Sequence, residues 1–286
     1  MPPAALGARP RLPAPRVLRA ADGVRISAVH EPAAPGRGDR RDLALVVAHG
    51  FVGSWHRPPV RAVASRLRAY GGVLSFDFRG HGRSGGRSTL GDLEVLDLDA
   101  VVRWARELGY ARVATVGFSM GAAVVVRQAG LSRGEQADGA GVDAVVVAVS
   151  GPSHWYYRGT PAMRRLHRVV SLPSGRLLLQ ARFRARLDAR HWDEARPQTW
   201  APTPAELAGR IAPVPLLVVH GDRDVWFPLE HAQALYAAAR EPKELWVEPG
   251  FGHSASDAAP ELVDRIGTWA AAVRRVDVGA RSAGGG

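Results

Sequence analysis

The chain has 286 residues, of which 46% are hydrophobic and 23% are charged, and its mean hydropathy is −0.10. This balance excludes an intrinsically disordered chain and a membrane-spanning protein, and the length suits one globular domain with an insertion. Cysteine is absent, which excludes disulfide bonds, thiolate catalysis and cysteine-based zinc sites. With no signal-peptide hydrophobic segment either, the sequence predicts a cytoplasmic protein without a stable membrane anchor.

Both ends of the sequence are predicted to be disordered tails, at residues 1–22 and 276–286. The first 20 residues contain four arginines and five prolines but no acidic residue, a composition that superficially suits a transit peptide. The prolines oppose the amphipathic helix that a transit peptide would form. We therefore predict a tail at the N-terminus, and the terminal run Gly284-Gly285-Gly286 indicates another.

Short apolar runs rich in β-branched residues alternate with helical patterns along the chain. The first, Arg25–Glu31, is a predicted antiparallel edge strand. Further strands are predicted at Leu43–His49, Val73–Phe78, Arg112–Gly117, Asp143–Ser150, Leu216–His220 and Glu244–Glu248. Helices are predicted at Pro59–Ala69, Leu90–Leu108, Met120–Ala129, Glu230–Ala239 and Pro260–Val273. This alternation predicts a doubly wound α/β fold whose mostly parallel sheet binds ligands at the carboxyl ends of its strands.

The alternation of predicted strands and helices is interrupted between residues 152 and 212, where prolines, arginines and aromatic residues are frequent. We predict that this segment is a small helical cap insertion of three short helices lying over the strand ends. The core would then consist of residues 23–151 and 213–275. The net charge of the chain is +11. Between Pro152 and Ala205 the sequence contains ten arginines but only three acidic residues.

The pattern G-x-S-x-G occurs twice, around Ser119 and around Ser84. A nucleophilic serine in this pattern lies on a sharp turn between a strand and a helix, which lifts its hydroxyl to the top of the sheet. Ser119 fits, because it follows the predicted strand Arg112–Gly117 and precedes the predicted helix Met120–Ala129. Ser84 lies among glycines with no helix after it, which indicates a loop hydroxyl. We predict that Ser119 is the nucleophile.

A serine hydroxyl needs a base to take its proton. His253 lies in a loop between the last predicted strand and the last predicted helix, which places it at the same sheet edge as Ser119. The other histidines lie in an edge strand, in a helix, in the insertion, or at strand ends and in loops, where they suit structural hydrogen bonds: His30, His49, His56, His81, His154, His167, His191, His220 and His231. His253 is therefore the predicted base.

A carboxylate must hold the imidazole in the correct tautomer. Asp222 and Asp224 both follow the predicted strand Leu216–His220. Asp224 lies farther into the loop and is favoured to reach the histidine, whereas Asp222 is suited to capping the turn; a turn formed by both aspartates stays open as an alternative. The order Ser119, Asp224, His253 is the order expected for a nucleophile turn of this type.

The negative oxygen formed by nucleophilic attack needs two backbone N–H donors. Met120 supplies one because it directly follows the predicted nucleophile. Phe51, at the exit of the first buried strand, supplies the other, and Gly50 would let that backbone turn inward. An ordinary strand-to-loop turn at His49-Gly50 is the alternative reading.

These segments together resemble the α/β-hydrolase superfamily over about residues 25–273. The motifs that carry the resemblance are His49-Gly50-Phe51, Arg79-Gly80-His81-Gly82-Arg83-Ser84 after Phe76-Asp77-Phe78, Gly117–Gly121, His220-Gly221-Asp222-Arg223-Asp224 with Pro228, and Gly252-His253. The arginine-glycine-histidine segment resembles the serine-aminopeptidase/monoacylglycerol-lipase-like branch. The resemblance implies the α/β-hydrolase fold, a triad of Ser119, Asp224 and His253, and an oxyanion hole at Phe51 and Met120. A serine nucleophile argues against the branches that use aspartate.

The predicted activity is hydrolysis of a carboxylic ester, with a small-molecule acyl ester as the partner. An acyl thioesterase or a lysophospholipase acting on an anionic substrate is the alternative, and a non-catalytic acyl-binding protein is the rival from another class. Trp155, Tyr156 and Tyr157 are predicted to line the acyl pocket, with arginines at its entrance. A nucleic-acid surface there is the less favoured reading. No cofactor, metal or nucleic acid is predicted, and the sequence leaves the oligomeric state open.

Overall fold

A computed structural model describes residues 13–35, 42–132, 144–188, 191 and 201–273. Its strands form one eight-stranded sheet: β1 (Arg16–Arg19), β2 (Arg25–Glu31), β3 (Leu43–Ala48), β4 (Gly72–Phe76), β5 (Arg112–Phe118), β6 (Val146–Val149), β7 (Leu216–Gly221) and β8 (Lys243–Glu248). The spatial order is β1-β2-β4-β3-β5-β6-β7-β8. β2 is antiparallel to both of its neighbours, and all other pairs are parallel. The predicted mostly parallel sheet is confirmed.

Helices cover both faces of the sheet. They are α1 (Pro58–Leu67), α2 (Glu94–Glu107), α3 (Met120–Ser132), α4 (Pro161–Ser171), α5 (Pro173–Phe183), α6 (Pro204–Ala208), α7 (Glu230–Ala238) and α8 (Pro260–Ala272). Apolar side chains of α2, α3 and α7 pack on one face of the sheet, and those of α1 and α8 pack on the other. The central strands are apolar throughout because both of their faces are buried.

The N-terminal part of the chain differs from the prediction. Residues 16–19, placed by sequence in a disordered tail, form β1, which pairs with β2 and buries Leu18. Arg25–Glu31 is therefore not the edge strand that was predicted. Asp22, just after β1, binds the guanidinium of Arg79 at 2.7 Å. Local sequence patterns do not predict an ion pair between residues this far apart in the chain. Residues 1–12 and the predicted tail 276–286 lie outside the described residues.

The start of α2 also differs, at Glu94 instead of Leu90. The side chain of Glu94 is fully buried and accepts hydrogen bonds from the backbone of Thr89 and Gly91 and from the hydroxyls of Ser88 and Thr89. The chain before Glu94 wraps around this carboxylate, with positive φ angles of 57° at Leu90 and 114° at Gly91, and cannot be helical there.

The segment predicted as a cap contains three helices with different surroundings. α4 and α5 follow each other directly, and Thr160 caps the start of α4 by accepting from Met163 N. Residues 186–188 return to the core, where Leu187 bridges to Ser88. α6 packs against α3 and α7, so it belongs to the helical layer of the core. Residues 189–190 and 192–200 of the predicted insertion lie outside the described residues.

Candidate active site

Ser119 lies on a tight turn between β5 and α3. Its φ angle is +54°, a left-handed value that non-glycine residues rarely adopt. The flanking glycines make the turn possible: a Cβ at Gly117 would clash with the backbone of Gly121, and a Cβ at Gly121 would clash with the backbone of Ala48. The backbone N–H of Ser119 donates to Val149 O at 2.9 Å. The turn is thus tied to β6 and leaves the hydroxyl at the strand ends.

The hydroxyl of Ser119 is the first member of a hydrogen-bonded chain. Its Oγ lies 2.9 Å from Nε2 of His253, and Nδ1 of His253 lies 2.7 Å from Oδ2 of Asp224. The structure therefore brings together the three residues predicted as nucleophile, base and acid. In this arrangement a carboxylate accepts the Nδ1 proton, which leaves Nε2 free to accept the serine proton.

The carboxylate of Asp224 is buried in a tight loop. Its side chain is 1% exposed, and its Oδ1 accepts from the N–H groups of Trp226 and Phe227 at 2.8 and 3.0 Å. Burial alone would raise the pKa of Asp224, but the hydrogen bond and electrostatic attraction from His253, together with these two amides, lower the pKa below its ordinary value. Asp224 is therefore the ionised partner of the histidine.

The competing candidates have other environments. Ser84 is buried, where its Oγ donates to Asp77 O and accepts from Ser27 N. Asp222 is exposed, and its Oδ1 accepts from Gly250 N at 2.7 Å. Each side chain stabilises a loop, whereas the hydrogen bonds of the His253 ring go to Ser119 and Asp224.

The loop after β3 brings its backbone close to the nucleophile. A Cβ at Gly50 would lie 3.1 Å from Cβ of Ser119, so a larger residue would crowd the hydroxyl. Phe51 and Met120 both line the cavity that contains Ser119. Met120 is the first residue of α3, so its N–H has no acceptor within the helix. Both residues therefore border Ser119, and their role as donors to a developing negative oxygen stays a prediction.

Two buried histidines hold that loop. His49 accepts from Phe78 N at Nε2, which leaves Nδ1–H to donate to Gly50 O at 2.7 Å. His81 accepts weakly from Val52 N at Nε2, 3.4 Å away, and donates from Nδ1 to Arg79 O. Both imidazoles are neutral in this arrangement, because each uses one nitrogen as donor and the other as acceptor. The predicted structural role of these strand-end histidines thus has a specific target, the backbone beside Phe51.

The buried histidines should make the protein less stable in acid. Burial lowers the pKa of His49 and of His81 from 6.5 to about 4. The unfolded chain therefore takes up these protons near pH 6.5, whereas the folded chain resists them down to about pH 4. The free energy of unfolding should fall across this window by at most about 3 kcal/mol for each histidine.

Urea unfolding at neutral pH and at about pH 4.5 measures this effect. The matched variant is His49→Asn, whose amide nitrogen can replace Nδ1 as donor to Gly50 O without taking up a proton. We expect the variant to lose less stability between the two pH values than the parent protein. Equal losses in the two proteins would contradict the assignment of a buried neutral imidazole.

A cavity of about 1300 Å³ opens beside Ser119. Trp155, Tyr156 and Tyr157 all line it, at the positions for which the sequence predicted pocket contacts. Tyr157 packs edge-on against His231, with ring centroids 4.5 Å apart, and Trp155 donates from Nε1 to Ala201 O at 2.8 Å. These partners fix the orientations of the two side chains in the wall.

Much of the cavity wall comes from residues that the sequence did not single out. They share an apolar character and lie on α4, on α5 and in the loop after Asp224: Met163, Leu166, Val169, Val170, Leu179, Phe183, Val225, Trp226 and Phe227. The spacing on α4 could have indicated one apolar face, whereas the loop residues carry no local signal. Arg165 and Arg176 also line the cavity, whose entrance was predicted to carry arginines.

His220 is a further neighbour of the acid. Its Nε2 donates to Phe227 O at 2.9 Å and lies 3.7 Å from Oδ2 of Asp224. It therefore stabilises the loop whose amides bind Asp224.

Within the described part of the chain, no group of three or more histidines or acidic residues is arranged to hold a metal ion. No helix among those residues is long and apolar enough to cross a membrane.

Comparisons with known proteins show which family the chain belongs to. The model of the alpha/beta hydrolase family matches residues 45–266. The Mycobacterium tuberculosis protein Rv2307c, itself uncharacterised, is 31% identical over 259 residues, covering 88% of this chain and 76% of its own length. YfhR of Escherichia coli K12, also uncharacterised, is 26% identical over 238 residues, 82% of this chain and 71% of its own.

Solved structures extend the likeness to three dimensions. The Pyrococcus furiosus esterase Pf2001 superposes with a TM-score of 0.65 at 26% identity, covering 90% of this chain and 89% of the esterase. Est1E of Butyrivibrio proteoclasticus, solved with ferulic acid bound, has the same fold, with a TM-score of 0.61 at 21% identity over 89% of this chain and 97% of Est1E.

The sheet order and the family match define the class of protein. The chain belongs to the alpha/beta hydrolase family, as its sequence motifs predicted. The family match and the Pyrococcus esterase support a hydrolase.

Proposed function

We propose that the protein is a serine hydrolase that cleaves carboxylic esters. The observation that supports this proposal is the continuous chain of hydrogen bonds from Ser119 through His253 to Asp224. The hydroxyl of Ser119 lies at the wall of a mostly apolar cavity. The esterase Pf2001, at 26% identity, is consistent with the same class of reaction.

In the first half of the proposed reaction, Oγ of Ser119 attacks the ester carbonyl carbon while Nε2 of His253 takes the hydroxyl proton. The carbonyl oxygen becomes negative and accepts hydrogen bonds from the N–H groups of Phe51 and Met120. The carbon–oxygen bond to the leaving group then breaks, and His253 returns the proton to the departing alcohol. An acyl group stays on Ser119.

In the second half, water replaces the alcohol. His253 takes a proton from the water as its oxygen attacks the acyl carbon, and the same two amides again bind the negative oxygen. Collapse of this intermediate frees the carboxylic acid and returns the proton to Ser119. Asp224 stays ionised throughout and stabilises the imidazolium that forms in each half.

The cavity supports a preference for substrates with an extended acyl chain. Its wall is mostly apolar, and its volume of about 1300 Å³ far exceeds what an acetyl group fills. Burial of apolar surface contributes about 25 cal/mol per Å², so each added methylene that reaches the wall strengthens binding. We propose that Trp155, Tyr156 and Tyr157 contact this chain.

A non-catalytic acyl-binding protein is the rival proposal, and a fluorophosphonate probe separates the two. An activated serine should attack the probe phosphorus and form a stable adduct at Ser119, because the same base and the same two amides serve both reactions. We expect mass spectrometry to find the adduct on that residue and the Ser119→Ala variant to stay unlabelled. A folded parent protein that resists the probe and leaves a panel of chromogenic esters intact would favour the binding protein.

Arginines at the cavity favour a second candidate, an acyl thioesterase or lysophospholipase acting on an anionic substrate. Arg165 and Arg176 line the cavity, and a basic rim raises the encounter rate with anions in a salt-dependent way. For two esters of equal acyl length, we expect added salt to lower kcat/KM for the anionic ester several-fold more than for the neutral one. The Arg165→Gln variant should reduce that difference. An equal response to salt would rule out attraction by the rim.

A further inference from the structure

The outward side of α4 and α5 carries large apolar side chains in water. Leu172, between the two helices, is 49% exposed, and Leu177 and Leu178 on α5 are 67% and 60% exposed. Leu178 also lines the cavity beside Ser119, as does Val225, which is 64% exposed. Residues that are both exposed and part of the wall lie at the mouth. The exposed leucines are therefore next to the opening of the cavity.

The segment that contains these two helices is strongly basic. From Ser150 to Leu187 the sequence contains eight arginines and no acidic residue. On α4, Arg164, Arg165 and Arg168 are exposed, whereas Met163, Leu166, Val169 and Val170 line the cavity. Arg165 also lines the cavity, so it is both exposed and part of the wall. On α5, Arg182 is exposed beyond Leu178.

None of Arg164, Arg165, Arg168 and Arg182 takes part in an ion pair with a carboxylate of the described residues. We call the three exposed leucines and these four arginines the α4–α5 face. It combines apolar side chains that water disfavours with positive charges that form no ion pair with any acid in the part of the chain that the structure describes.

We compared three partners that could bind the α4–α5 face, and an anionic lipid bilayer matches its apolar and basic residues best. A symmetric contact with a second copy would bring each set of arginines against its own like charges, because a two-fold interface pairs a patch with itself. A nucleic acid would satisfy the arginines but leaves the leucines without apolar contacts. An anionic lipid bilayer satisfies both, since its phosphates attract arginine and its acyl region accepts leucine.

We propose that the α4–α5 face docks reversibly on an anionic lipid bilayer. Leu172, Leu177 and Leu178 insert at the level of the headgroups, and the arginines contact lipid phosphates. The mouth of the cavity at Leu178 and Val225 then faces the bilayer. Only the consequence that acyl substrates enter from the membrane rests on the proposed hydrolase function; the docking itself does not.

Vesicle cosedimentation of the full-length Ser119→Ala protein tests the docking without any lipid hydrolysis. We expect binding to vesicles of phosphatidylcholine mixed with phosphatidylglycerol, weak binding to vesicles of phosphatidylcholine alone, and release by high salt. Each arginine near an anionic surface strengthens binding by about fivefold. Arg168→Glu with Arg182→Glu should therefore lower the affinity by about 25-fold or more.

A separate variant tests whether the exposed leucines contribute to vesicle binding. Leu172→Ser with Leu177→Ser should lower the affinity for the anionic vesicles about tenfold or more while leaving the arginines in place. Neither leucine lines the catalytic cavity. The matched controls carry the same changes on other exposed residues: Leu108→Ser for the leucines, and Arg210→Glu with Arg240→Glu for the arginines. Both control proteins should bind as tightly as the parent, and circular dichroism checks that every variant is folded.

Several results would overturn the proposal. One is a folded parent protein that does not sediment with anionic vesicles; another is vesicle binding that the control changes weaken as much as the changes on the α4–α5 face. Self-association in sedimentation velocity that the leucine variant abolishes, without vesicle binding, would identify a second copy as the partner. Tight binding of single-stranded DNA that depends on the arginines and not on the leucines, again without vesicle binding, would identify a nucleic-acid surface.

Discussion

Replacement of Ser119 by alanine should lower kcat for ester hydrolysis by about 10³-fold or more and leave the fold unchanged. The variant loses the one oxygen that lies 2.9 Å from His253 Nε2, so no nucleophile remains for the base to activate. The side chain borders a cavity, and removal of its hydroxyl opens no gap in the core. Initial rates with a chromogenic ester, together with circular dichroism, give the two readouts.

The control for this experiment is Ser84→Ala, which changes the serine of the second G-x-S-x-G pattern. That variant removes the acceptor for Ser27 N and the donor to Asp77 O. The unmet hydrogen bond should cost about 1–3 kcal/mol of stability, while the folded fraction keeps its activity. An inactive, folded Ser84→Ala protein beside an active Ser119→Ala protein would move the nucleophile to Ser84.

Asp224→Asn should lower kcat by about 10⁴-fold. The backbone N–H groups of Trp226 and Phe227 occupy Oδ1, so the asparagine oxygen should stay with them and its NH₂ group should face His253. Nδ1 would then have to accept, which moves the ring proton to Nε2 and removes the acceptor that Ser119 needs. The fold should persist, because the loop keeps its two backbone bonds.

The matched change at the neighbouring aspartate is Asp222→Asn. Asp222 is exposed and bonds to the backbone of Gly250, a contact that an asparagine oxygen can keep. We expect kcat to change less than about twofold, as is usual for surface substitutions away from special features. A larger loss from Asp222→Asn than from Asp224→Asn would make Asp222 the catalytic acid.

The sequence predicted well those features that short-range patterns determine. A run such as Leu43–Ala48 is apolar at every position because it is buried on both faces, and this indicates a central parallel strand without further information. The turn at Ser119 requires glycines on both sides, so its sequence pattern follows from its backbone geometry. His253 and Asp224 could be placed at one sheet edge because parallel strands end together.

Short-range sequence patterns could not predict features that depend on contacts between residues far apart in the chain. β1 becomes a strand because it pairs with β2 and because Asp22 after it meets Arg79, 57 residues later. α6 resembles part of an insertion in the sequence, yet it packs on α3, where Gly130 allows close approach to Leu207. The placement of Leu177 and Leu178 in water has the same origin. Their composition indicates burial, and only the packing of α5 leaves them exposed.

The left-handed backbone at Ser119 connects the stability of the protein to its turnover. A non-glycine residue at φ +54° is held there by the surrounding sheet and helix, against a local preference of about 1–3 kcal/mol. Glycine would relax this strain at once, so the most stable residue at this position is one that cannot catalyse. Selection for thermal stability alone would therefore favour glycine here, and a serine in this strained turn supports its proposed role as the nucleophile.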